Sequence, residues 1–379
     1  MILKGGGDKV PLSVSKNSLS FRGSEATVGI RTFKAAVFLK IRMKSECFGA
    51  RIATPVCAPA RNDSFFDNLR GTSSPFCSFK KGRYTMPQQP IIALMYDFDN
   101  TLSTEDMQDY SFIPSLGFTV PEFWALANDF GRREHMDGIL AYMFTMMREA
   151  NRIGRPLTRP QLVETGRDIK LFPGVEDWFS RINAFGASLG VTVEHYIISS
   201  GLREIIEGCS ISREFKEIFA SEFCYDESGV AVWPKLSVNY TSKTQFVYRI
   251  NKGVLDVSDD KTLNASMPDD SKRVPFTNMI YLGDGLSDVP CMKMMQSYGG
   301  ASIAVYKEMT PGVKDLLANG RVDFIYPADY REGTGLDLTV KNILRKMATA
   351  DALAEENARQ MRLIRQDDEL SGQIALSMD

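Results

Sequence analysis

The chain has 379 residues, of which 44% are hydrophobic and 24% charged, with a net charge of −2. That balance fits a folded protein with a sizeable core and a smaller accessory element, and it excludes a low-complexity or fibrous chain. The charge is unevenly spread: residues 1–88 carry fifteen Lys or Arg against five Asp or Glu, a net of +10, so the remainder carries −12. An acidic body has no footprint for nucleic acid or for an anionic membrane surface.

Residues 1–86 form a basic leader without helical or strand periodicity, rich in Ser, Gly, Arg and Lys. It reads as a disordered tail or as sequence upstream of an initiator at Met86. The alternative is an organelle transit peptide, because the segment is rich in Arg and Ser and poor in acids. Cys47, Cys57 and Cys77 lie there, and Cys209, Cys224 and Cys291 in the body; no CxxC pair occurs, and His135 and His195 are the two histidines. This excludes a disulfide framework and a Cys/His zinc site. No apolar run approaches the roughly 20 residues that span a bilayer. A cytoplasmic protein is expected, or an organellar one if the leader is a transit peptide.

From residue 89 the pattern changes. Ile91 to Tyr96 is a continuous apolar run, the signature of a strand buried on both faces of a parallel sheet. Similar runs recur at Val193–Ile198 and Met279–Leu282, with a weaker one at Phe324–Tyr326. Helical patterns at Val175–Ala184 and Lys243–Ile250 lie between them. The alternation predicts an α/β fold with a doubly wound parallel sheet, formed by residues 87–102 and 171–340. Residues 103–170 interrupt it with a helical insert, too long for an ordinary connection and suited to a cap. Its apolar set Ile139, Tyr142, Met143, Met146 and Met147 reads as packing.

A hairpin is expected over residues 222–240, with Asp226-Glu227-Ser228-Gly229 as its turn. Residues 254–275 form a polar excursion with five aspartates, read as a solvated insertion in preference to a metal loop. Residues 341–379 read as a charged C-terminal helix and tail, the helix running from Val340 to Gln366 and mostly exposed.

Each strong strand ends in polar or glycine-rich residues: Asp97-Phe98-Asp99, Ser199-Ser200-Gly201 and Gly283-Asp284-Gly285. In doubly wound sheets ligands bind at the carboxyl ends of strands, so the three segments converge on one crevice. Asp97 and Asp99 do not open a calcium loop, since its sixth and twelfth positions hold Leu102 and Gln108 instead of Gly and Glu. Phosphoryl transfer accounts for the pair. One carboxylate attacks phosphorus, and a second protonates the leaving alkoxide and then deprotonates water. Magnesium accepts one or two carboxylates together with substrate phosphate, and Asp284 supplies a further acid. Lys243 is the candidate cation offsetting the acids, and Ser199 a hydroxyl donor to phosphate.

Asp97-Phe98-Asp99-Asn100-Thr101, Ile197-Ile198-Ser199-Ser200-Gly201, Lys243 and Gly283-Asp284-Gly285-Leu286-Ser287-Asp288 resemble, in order and spacing, the four motifs of the haloacid dehalogenase-like hydrolases, and within them the phosphoserine-phosphatase-like branch. The resemblance spans about residues 90–330. It implies a Rossmann-like core with Asp97 as nucleophile and Asp99 as general acid/base. It further implies Asp97, the Asp99 carbonyl and Asp284 as Mg2+ ligands supported by Asp288, and Ser199 and Lys243 as phosphate-stabilising groups. Asn100, Thr101, Ser200 and Gly201 fall in the motif loops around the substrate. Where that branch carries a substrate-recognising Glu, this chain has Asp106, and Arg148 and Arg152 are candidates for its cap arginine.

The function expected is hydrolysis of a small-molecule phosphomonoester through an aspartyl-phosphate, with Mg2+ as cofactor. A phosphotransferase or phosphomutase using the same nucleophile, or a catalytically idle binding module, are the alternatives. The expected partner is a small phosphorylated metabolite, with neither nucleic acid nor membrane, and the oligomeric state is open.

Overall fold

The structure, a computed structural model, describes residues 89–376. The expectations for the basic leader, its cysteines and Met86, and for the last three residues of the tail, lie outside the described residues.

Seven strands form one sheet: β1 (Ile91–Tyr96), β2 (Thr192–Leu202), β3 (Glu217–Tyr225), β4 (Ala231–Leu236), β5 (Met279–Gly283), β6 (Ala301–Tyr306) and β7 (Phe324–Pro327). Their spatial order is β4-β3-β2-β1-β5-β6-β7, parallel throughout except for the β3–β4 hairpin. The chain leaves β1 toward β2 on one side and reaches β5 on the other. The carboxyl end of β1 is therefore the switch point where such sheets bind ligands.

The alternation along β1 explains its continuous apolar run. Ile92, Leu94 and Tyr96 enter one buried cluster, and Ile91, Ala93 and Met95 enter another on the opposite face. On the first face the Tyr96 hydroxyl meets Trp178 Nε1 at 2.9 Å and His195 Nδ1 at 3.0 Å, and His195 Nε2 meets Asn183 at 3.0 Å. Burial pushes the His195 imidazole down to about 3, so it is a neutral packing residue.

Helices cover residues 107–165 almost continuously, the two longest being Val120–Glu134 and Gly138–Arg152. Thr119 and Glu122 form a capping box on the first, and Asp137 caps the second through the Ile139 and Leu140 N–H groups. The insert leaves and rejoins the core at one place. Ser103 and Leu171 form an antiparallel bridge, and the Phe172 N–H donates to the Leu102 carbonyl at 2.9 Å. Tyr142, Met143 and Met146 are buried, while Ile139 and Met147 pack at the margin.

Three expectations are corrected. β3 begins at Glu217, before the hairpin, and β6 had no counterpart in the apolar pattern. The last helix spans Gly335–Leu376, so the boundary set at residues 340 and 341 cuts through it. Its first turns are not exposed: Leu336, Val340, Ile343, Leu344 and Met347 are buried, and Asp337 binds Arg181 at 2.7 Å. Hydrophobic burial sets this register, so the exposed charged character holds only further along the helix.

In the polar excursion, Arg249 donates to the Asp256 and Val257 carbonyls at 2.7 and 2.9 Å and to Asp260 at 2.9 Å. Asp256 and Asp259 accept from nearby backbone N–H groups, as turn residues do. No helix among the described residues is long and apolar enough to cross a membrane.

Candidate active site

β1 delivers Asp97 directly to the switch point, where its N–H donates to the Leu282 carbonyl of β5 at 2.9 Å. The turn that follows places Asn100 at φ +55°, a left-handed conformation that Asn tolerates. Asp97 Oδ1 accepts from the Phe98 N–H at 2.8 Å and lies 3.0 Å from Lys243 Nζ. Lys243 begins the Lys243–Lys252 helix, is fully buried, and donates to Asp288 at 2.8 Å. Tyr281 on β5 donates to the same Asp288 oxygen at 2.7 Å, while Asp288 Oδ2 is buried with no partner.

Oxygens of Asp97, Asp284 and Asp288 all lie within 4.8 Å of one another. Three carboxylates face one ammonium, which leaves a formal −2 in a region sheltered from water. Burial, and then Asp288, push the Asp97 carboxyl up to about 7 even though Lys243 opposes the shift. Burial and Asp97 push Asp284 up to about 8. Burial works against the Lys243 charge, yet Asp288 and Asp97 outweigh it and hold its ammonium above the ordinary value. A divalent cation held by oxygen ligands fits this donor set, its charge and the orphaned Asp288 oxygen.

Asp99 stands apart from the three. Its Oδ1 accepts from the Met107 N–H at 2.8 Å, and burial followed by repulsion from Asp106 and Asp97 raises its carboxyl well above the carboxylate range. The Asp99 carboxylate is therefore tied to the insert and is not one of the three clustered acids. Ser199 is buried at the end of the apolar part of β2, and its Oγ accepts from the Gly201 N–H at 2.9 Å.

Gly201 is required by close approach. A Cβ there would stand 2.1 Å from Met107 Cε and 2.8 Å from Asp99 Oδ2.

Above these residues lies a cavity of about 400 Å3. Asp97, Asp99, Asn100, Asp106, Ser200, Gly201 and Asp284 line it, while Ser199, Lys243 and Asp288 are buried. Thr101 does not line the cavity: it is fully buried, its carbonyl accepting from Tyr330. Arg148 and Arg152 do not reach it either. Both pair with Glu149, and their guanidinium groups stack over Phe130 and Phe118 respectively.

Sequence reasoning missed Tyr281, hidden in an apolar strand run, and Trp124 and Asn128 on the cap. Tyr142 was legible only as packing, yet its hydroxyl donates to the Ser200 carbonyl at 2.8 Å.

A doubly wound sheet with a helical insert and a cluster of carboxylates at its switch point makes this an α/β protein with a ligand site at the carboxyl ends of its strands. The family model of haloacid dehalogenase-like hydrolases matches residues 94–293, and the chain belongs to that family. A relative is an uncharacterized protein of Borreliella burgdorferi, 26% identical over 277 residues covering 66% of this chain and 95% of that one. Similar solved structures include the HAD family hydrolase t0658 of Salmonella enterica serovar Typhi, at 16% identity, TM-score 0.45 and coverage of 68% and 72%. A phosphoserine phosphatase in apo form matches at 14% identity, TM-score 0.42 and coverage of 64% and 96%. A phosphoserine phosphohydrolase-like protein of Francisella tularensis matches at 17% identity, TM-score 0.40 and coverage of 63% and 94%.

Proposed function

We propose that this hydrolase is a Mg2+-dependent phosphatase that cleaves a small phosphomonoester through a phosphorylated Asp97. The observation that carries the reading is Asp97 itself. It lies at the cavity floor, held at 3.0 Å by a buried lysine and beside two further carboxylates whose charge calls for a cation.

Asp97, Asp284 and the Asp99 carbonyl would hold the magnesium, with Asp288 in support, and the ion supplies the positive charge that keeps Asp97 ionised and offsets the phosphate. Asp97 attacks phosphorus with its carboxylate, and the bond to the ester oxygen breaks. Asp99, carrying a proton because burial and neighbouring acids raise its carboxyl, gives that proton to the departing alkoxide. As a carboxylate it then takes a proton from the water that attacks the acyl phosphate, releasing inorganic phosphate and restoring Asp97. Lys243, itself fixed by Asp288, holds Asp97 directly at 3.0 Å, and Lys243 and Ser199, with nearby backbone N–H groups, would stabilise the phosphate charge.

Phosphate release over a panel of phosphomonoesters, with magnesium and with EDTA, tests this. Turnover is expected with magnesium only, and to fall to background in Asp97→Asn. Magnesium-independent turnover, or an active Asn variant, would contradict the proposal.

A further inference from the structure

We infer that the cavity above Asp97 takes phosphomonoesters of small amino alcohols, whose far end is an ammonium group and carries no carboxylate. This rests on the phosphatase reading and concerns the end of the substrate that the cap contacts.

The first support is charge. Among the described residues lining the cavity, none is Lys or Arg. The cations nearby are committed elsewhere: Arg148 and Arg152 to Glu149, and Lys307 to Glu105. Asp97, Asp284 and Asp288 are offset by Lys243 and a divalent ion. Asp106, on the cap side, has no such partner. One of its oxygens accepts from the neutral Asn100 amide at 2.7 Å, and the other takes no hydrogen bond among the described residues. Burial holds its carboxyl above the ordinary value despite the Asn100 bond. A substrate carboxylate would face this acid with no guanidinium to receive it, and an ammonium would complement it.

The second support is the wall. Trp124 and Tyr142 line the cavity with ring centroids 5.8 Å apart at 68°, and Tyr240 stands at the rim. Their polar handles are used elsewhere: Trp124 Nε1 donates to Asp109 at 3.0 Å, and the Tyr142 hydroxyl to the Ser200 carbonyl. What these two rings offer a ligand is π surface, which attracts organic cations and not anions. A cavity of about 400 Å3 suits a compact alcohol.

The experiment compares kcat/KM for phosphocholine and phosphoethanolamine with 3,3-dimethylbutyl phosphate, the uncharged carbon counterpart of phosphocholine, and with phosphoserine. At least one amino-alcohol ester is expected to exceed the uncharged ester by about tenfold or more, and phosphoserine by more. Asp106→Asn is expected to lower the cation-to-neutral ratio by about fivefold or more. Ligand-observed NMR of choline against 3,3-dimethylbutanol on the magnesium-loaded protein reads the pocket without turnover, and choline is expected to bind more tightly. Magnesium-dependent hydrolysis of the uncharged ester with no cation preference would overturn the inference and leave the phosphatase standing. Choline selectivity in a protein that hydrolyses none of the esters would overturn the phosphatase and leave the pocket. Loss of preference in both assays, or phosphoserine as the best substrate, would also overturn the inference.

Discussion

Replacing Lys243 by Met removes the ammonium that pairs with Asp97 and Asp288 while keeping much of its buried aliphatic volume. With an effective dielectric constant of about 20, attraction at 3.0 and 2.8 Å is about 5–6 kcal/mol per contact. Most of that offsets the cost of burying the charges, several kcal/mol for each ion. Removing one partner of such a set leaves the others uncompensated, at a net cost of about 3–5 kcal/mol. Urea unfolding in EDTA, followed by circular dichroism, should therefore show Lys243→Met less stable by about that amount with an unchanged m-value. Adding Asp288→Asn removes one stranded charge and should recover about 1 kcal/mol or more, a non-additivity typical of a shared network. A single-variant loss below about 1 kcal/mol, or strictly additive effects, would show that the lysine is not the buried counter-ion described.

Two further outcomes follow from the site. In EDTA, the carboxyls of Asp97 and Asp284, pushed up to about 7 and about 8, make the folded state bind more protons than the unfolded one. Stability from this source is present in acid and is lost as pH rises, so Tm should fall between about pH 5 and about pH 8, with magnesium raising it most at the alkaline end; a rise in Tm over that range in EDTA would contradict the cluster. Gly201→Ala should displace Asp99 and Met107 and lower kcat by about 10²-fold, the usual cost of misplacing a reacting group by an ångström. A variant within about twofold of wild type would refute the close packing that motivates it.

What the sequence made legible follows physical contrast. β1, β2 and β5 are covered on both faces, so each is an apolar run ending in a polar motif, and the acids of the candidate site stand out against it. β6 is buried too, but Ala301, Ser302 and Ala304 are small, and Ser302 is satisfied by Asp323, a partner far along the chain. The final helix was misjudged for a related reason: its buried residues are interleaved with Asp337, Lys341 and Arg345, and charge hid the apolar stripe. At the site, Asp97, Asp99 and Asp284 were legible as candidates by residue type, whereas Tyr281 and Trp124 look like packing residues until their hydrogen bonds are seen. Arg148 and Arg152 show the converse, since the resemblance made them candidates for substrate contact and Glu149 pairs with both. Composition along a helix does not say which face a cap turns to the crevice.

The central claim is that Asp97 carries the phosphoryl group. Mixing enzyme, magnesium and a turned-over phosphomonoester, quenching in acid during steady state and reducing with borohydride would convert an aspartyl-phosphate to homoserine. Mass spectrometry should find homoserine in place of Asp97, and none at any position in Asp97→Asn. Modification at another residue, or undiminished turnover with Asp97 unmodified, would contradict the account.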